Sequence, residues 1–123
     1  MKRLVLNPSA AHPITIVRTR GEVVVYVSDR EVARTARALT LLEAKYLPVQ
    51  YIPIEDVVAT VLRPSATTSY CPYKGDAAYY SVDLGDGVVF EDLIWTYREP
   101  YPAVAAIAGR LAFYANRAHV IHT

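Results

Sequence analysis

The chain has one cysteine among its 123 residues, so it has no intrachain disulfide framework. Neither CxxC nor HExxH occurs, and histidine is limited to His12, His119 and His122. The last two are spaced i, i+3, which does not put them on one strand face, so no zinc site or other metal is expected. No apolar run reaches the roughly 18 residues that a membrane span requires. Residues 1–6 are too short for a signal peptide and run into Asn7 and Pro8. From these absences we expect a cytoplasmic protein with no membrane partner and no cofactor. Charge of one sign is scarce as well: 13 basic groups face 12 acidic ones, for a net charge of +1. Residues 1–37 hold seven basic and three acidic groups, and the remainder holds six and nine. Neither part approaches the basic stripe of a nucleic-acid binder, so no nucleic-acid partner is expected.

Phenylalanine occurs only twice, against ten tyrosines. A buried tyrosine brings a hydroxyl that needs a partner. Such a balance points either to a partly polar interior or lined cleft, or to amphipathic tyrosines at strand edges. Hydrophobic residues make up 53% of the chain, which argues against disorder. The length is that of one domain, 1–123, able to bury a real core.

Along the chain, residues 1–13 read as an extended arm. The β-branched and aromatic run 22–27 predicts a strand, Ser28 and Asp29 a turn, and 31–35 the returning strand of a hairpin. Residues 36–46 predict a helix: they are good helix formers, Thr35 can cap the start, and Ala38, Leu39, Leu41, Leu42 and Tyr46 share a wide apolar arc. Glu43 falls at the edge of that arc, either half-buried or as a solvated helix charge. A short strand at 49–52, a helical turn at 53–57 and an ambiguous segment at 57–62 follow, with Pro64 and Ser65 breaking the chain. Residues 67–71 and 76–83 predict a hairpin about the turn Pro72-Tyr73-Lys74-Gly75, in which Gly75 can take positive φ. Residues 88–97 read as a long strand, bulged at Glu91 and Asp92 where alternation fails. Pro100 and Pro102 open a short apolar helix at 103–108 closed by Gly109, and 111–114 and 119–121 are terminal strands. The fold class expected is α+β, mostly β: curled antiparallel sheets with one or two short helices.

The stretch Tyr70-Cys71-Pro72-Tyr73-Lys74-Gly75-Asp76 gathers a thiol, an ammonium, a carboxylate and two phenols. Positive charge from Lys74 can activate the Cys71 thiol, or Asp76 can neutralise Lys74 and leave the thiol inert. The plain alternatives are a small buried Cys71 and an exposed Lys74 at a turn tip. Strand alternation separates Tyr79, with Ala77, Ser81 and Asp83, from Tyr80, with Ala78 and Val82. Trp95 and Tyr97 share a face in the next strand, where small alanines opposite large aromatics either pack or leave room for a flat ligand. Nucleotidyl transfer requires metal-binding carboxylates and a phosphate cradle. Asp83 and Asp86 lie in a turn, and Gly85-Asp86-Gly87 is not a P-loop.

The chain resembles domain-of-unknown-function family 427, also labelled a nucleotidyltransferase-like domain. The resemblance rests on His12-Pro13-Ile14-Thr15-Ile16, on Arg37-Ala38-Leu39-Thr40-Leu41 with Glu43-Ala44, and on Pro48-Val49-Gln50-Tyr51-Ile52-Pro53 with Glu55-Asp56-Val57. Later come Tyr70-Cys71-Pro72-Tyr73-Lys74-Gly75-Asp76-Ala77, Tyr79-Tyr80-Ser81, Trp95-Thr96-Tyr97, Pro100-Tyr101-Pro102 and Leu111-Ala112-Phe113-Tyr114. The family pattern usually has Asp-Ser ahead of the predicted helix, where this chain has Arg34-Thr35. The resemblance implies a compact β-rich fold similar to the β-tent group and implies no particular activity. It carries over Glu43, Tyr70, Cys71, Lys74, Asp76, Tyr80, Trp95 and Tyr97 as candidate positions.

Three functions are compatible with these readings. The first is a small-molecule-binding domain with a pocket beside the 70–80 hairpin, in which Trp95 and Tyr97 form walls, Tyr70, Asp76 and Tyr80 contribute, and Glu43 and Lys74 orient the ligand. The second is an enzyme with Cys71 or Lys74 as nucleophile and Glu43 or Asp76 as base. The third is a structural domain that forms a homodimer through the apolar run 103–108 and the terminal strands.

Overall fold

The structure is a computed structural model that describes residues 3–123, so Met1 and Lys2 of the N-terminal arm lie outside the described residues. The valine run Val23–Val27 forms β2 and pairs antiparallel with β3 (Arg30–Thr35), as its β-branched side chains favour. Ser28 and Asp29 join the two strands with φ of 49° and 66°, the left-handed pair that a tight hairpin demands. Before them, β1 (Ile14–Arg18) belongs to a different sheet. It pairs with β4 (Leu39–Glu43), which pairs in turn with β5 (Val49–Tyr51).

The second half builds a four-stranded antiparallel sheet from β6 (Leu62–Cys71), β7 (Gly75–Asp83), β8 (Val89–Thr96) and β9 (Leu111–Phe113), in that order. The last strand, β10 (His119–His122), returns to the edge of β2. The expected bulge in β8 is present: Tyr80 pairs with Ile94 but Val82 pairs with Phe90, and Asp92 takes a φ of 50°. Pro64 does not break the chain. It lies inside β6, an edge strand, where a register shift between Pro64 and Thr68 absorbs its missing donor.

The expected helix over 36–46 is not formed; its centre is β4, the middle strand of a three-stranded sheet. The local preference for helix yields to backbone pairing on both sides, with β1 and with β5. Thr40 joins a polar knot on the face opposite Leu41, bonded to Thr19 at 2.7 Å and to Gln50 at 3.0 Å. The helical parts of the described residues are all 3₁₀: Ile54–Asp56, Ala59–Val61 and Pro102–Ile107. Within the last of these, Val104 and Ile107 are fully buried, so the apolar run 103–108 turns its large side chains inward.

The four-stranded sheet has a core on each face. On one side Val82, Ile94, Leu111 and Phe113 pack with Val23, Val25, Val27 and Val32 of the β2–β3 hairpin. On the other, Ala77, Tyr97 and Ala112 pack with Leu41, Tyr51, Val104 and Ile107. The alternation in β7 therefore sends Tyr80 to the first core and Tyr79 to the second.

Candidate functional site

The strand form of residues 39–43 decides where Glu43 points. Leu39, Leu41 and Glu43 alternate onto one face, toward the second core, so the carboxylate is carried inward with two leucines. Lys74 reaches the same place from the β6–β7 turn. That turn is pinned by Lys74 N–H to Cys71 O at 3.1 Å and by Tyr101 N–H to Lys74 O at 3.0 Å. Lys74 is consequently not an exposed turn tip: only 7% of it meets solvent. Its Nζ donates to Glu43 Oε1 at 2.5 Å, and the other carboxylate oxygen lies 2.7 Å from His12 Nε2. The His12 ring stacks on Tyr73, with centroids 4.1 Å apart and planes 5° from parallel.

Burial alone would raise the Glu43 carboxyl pKa. The hydrogen bonds from Lys74 and His12, with the attraction of both partners, outweigh that penalty and hold it below its ordinary value. Glu43 is therefore an ionised carboxylate that neutralises a buried ammonium.

The pair stands at one end of a hollow of about 390 Å³. Its walls are aromatic: Tyr51, Tyr79, Trp95, Tyr97 and Tyr114, with Leu41 beneath and Tyr46 and Val49 at the rim. The indole N–H of Trp95 donates to the Tyr51 hydroxyl at 3.1 Å, and the two rings meet edge to face. Burial raises the pKa of both Tyr51 and Tyr97, so these phenols are neutral donors. Burial and a bond to Tyr79 also push Tyr114 up, to about 12. The Tyr97 hydroxyl has no side-chain partner among the described residues, although no enclosed side-chain polar atom among them lacks one. Its oxygen therefore faces the hollow.

Of the sequence candidates, Glu43, Lys74, Trp95 and Tyr97 meet at this hollow. Cys71 is half-buried against the second core and is not on the lining. Tyr70 and Asp76 lie elsewhere. Asp76 takes a bidentate contact from Arg3 at 2.5 and 2.8 Å, and Tyr70 sits under the Arg3 guanidinium with its hydroxyl on Leu4 O and Tyr101. Tyr80 packs on the first core with Arg98 over its ring. Reading the chain for local motifs missed His12, Tyr51, Tyr79 and Tyr114. His12 and Tyr51 stand inside segments that carried the family resemblance, and the alternation already paired Tyr79 with Ala77. Tyr114 likewise closes a segment that carried the resemblance, Leu111-Ala112-Phe113-Tyr114.

The family model for a domain of unknown function, DUF427, matches residues 15–123. The chain belongs to this family. No curated protein matches it. The DUF427 match takes in Glu43, Lys74 and every aromatic wall of the hollow and stops short of His12. Among the described residues, no group of three or more His, Cys, Asp or Glu side chains is gathered as a metal ion would require.

Proposed function

We propose that this DUF427 domain binds a small aromatic molecule in the hollow, with its polar end against Lys74 and its ring among Trp95, Tyr97 and Tyr51. The observation that carries this reading is the placement of an almost fully buried ammonium at the end of an aromatic-walled space open to solvent. An ammonium has three donors, and Glu43 accepts from one of them here. Apolar walls with a few placed polar groups are how small-molecule sites are usually built. A nucleophilic role for Lys74 or Cys71 has less support, because Lys74 is ion-paired and Cys71 stands off the lining.

The test is a thermal-shift screen of small aromatic amides, acids and alcohols against the native protein, Trp95→Ala and Lys74→Met. The expected result is a stabiliser whose shift disappears in both variants. A stabiliser indifferent to both would place its site elsewhere and end this reading.

A further inference from the structure

We infer that the hollow is half of a longer site, and that its occupant is an uncharged, elongated aromatic amphiphile. A carbonyl-type acceptor would meet Lys74 and Tyr97, and the apolar body would run past Trp95 into a second hollow. This rests on the ligand-binding reading above and specifies its ligand.

The second hollow, about 360 Å³, lies where β5, β9 and β10 converge. Leu47, Ile52, Phe113 and Val120 line it, and it shares Val49, Trp95 and Tyr114 with the first. Small-molecule sites usually span about 300–1,000 Å³. Each hollow alone stands at the low end of that range, and the two together reach its middle. The side-chain polar groups on the second lining are already engaged. Gln50 bonds Thr19 at 2.7 Å and Thr40 at 3.0 Å, and His122 Nε2 contacts the Arg20 carbonyl. The rest of that lining is predominantly apolar.

The β4–β5 connection points the same way. It turns at Ala44, whose φ is 46°, and then presents Tyr46 and Leu47, which are 70% and 84% exposed. These two adjacent side chains divide between the hollows, Tyr46 on the first and Leu47 on the second. A molecule lying across both would cover apolar surface that is otherwise left in water.

Charge sets the head group. Glu43 is held at 2.5 Å from Lys74 and takes His12 on its other oxygen, so an anionic head at Lys74 would lie beside a fixed carboxylate. A neutral carbonyl accepts from a free Lys74 N–H and from the Tyr97 hydroxyl without that repulsion.

Trp95 is the single tryptophan, so its indole N–H resonance in ¹⁵N-labelled protein reports occupancy of the wall shared by both hollows. The probes are biphenyl-4-carboxamide, biphenyl-4-carboxylate and benzamide. The biphenyl amide is expected to bind tightest, with the carboxylate weaker by about tenfold or more. Ala115 is exposed on the rim of the second hollow, so Ala115→Phe fills that space without disturbing a core. It should weaken the biphenyl amide by about tenfold and leave benzamide unchanged. Lys74→Met should weaken both amides. Equal affinity of the biphenyl amide for native protein and Ala115→Phe overturns the two-hollow site. Preference for the carboxylate, or no response to the biphenyl amide up to its solubility limit, overturns the ligand class. Indifference of both amides to Lys74→Met removes the underlying ligand reading instead.

Discussion

Val23, Val25, Val27, Leu93 and Ile94 are wholly enclosed in the core on one side of the four-stranded sheet, whereas the other side encloses Tyr51 and Tyr97 beside an ion pair. The wholly enclosed side chains of the first side need shape alone, since they carry no group that must find a partner, and its tyrosines, Tyr80 and Tyr114, are only partly buried. The tyrosine side must satisfy phenols, an indole N–H, an ammonium and a carboxylate. It does so partly by internal bonds and partly by opening a hollow. The two faces of one sheet thus carry cores of different chemistry.

Four measurements can break or sharpen that division. Leu93→Ala, at a fully buried aliphatic position, is expected to cost about 3 kcal/mol in urea unfolding, through lost transfer energy and a residual cavity. Lys74→Met is expected to cost about 2 kcal/mol, because it leaves the Glu43 carboxylate partly buried without its cation. The double variant Glu43→Met with Lys74→Met should regain most of that loss. A double variant as unstable as the single would mean that the lysine acts by packing.

The third measurement is the pH dependence of the same pair. Glu43 titrates below its ordinary value of 4.5 in the folded protein, so its contribution is complete above that value and is lost as pH falls through the folded pKa. The stability gap between native protein and Lys74→Met should therefore be widest above about pH 4.5 and close below it. A gap that stays constant from pH 7 to pH 3 contradicts the ionic account.

The smallest effects compare two phenols. Tyr51→Phe removes the acceptor of the Trp95 indole N–H and should cost about 1 kcal/mol. Tyr97→Phe removes a hydroxyl that faces the hollow and should change stability by less than about 0.5 kcal/mol, while weakening binding of an amide probe. Equal costs at the two positions would erase the distinction between an internally bonded phenol and one that faces the hollow.

Much of the scaffold is legible locally. The valine run, the left-handed Ser28 and Asp29, the Pro72–Gly75 turn and the bulge before Leu93 each have a nearby chemical cause that acts within a few residues. The short apolar helix after Pro100 is also present, as 3₁₀ rather than α, and Gly109 closes it with a φ of 72°. Residues 36–46 are where local reading fails: alanine, leucine and glutamate favour helix, and only the presence of β1 and β5 on either side makes a strand the better arrangement. The site inherits that failure, because Glu43 enters the hollow by strand alternation.

The amino-acid sequence by itself determined a β-rich chain punctuated by proline, glycine and Asx turns, with one tryptophan, a surplus of tyrosine and a lysine set in a tight turn. Its resemblance to family 427 was also readable from the order of its motifs. Tertiary structure alone decided which of these groups meet. Glu43 lies 31 residues from both His12 and Lys74, and Tyr51 lies 44 residues from Trp95. Contacts over such separations depend on how three sheets stack, and no local preference encodes that stacking.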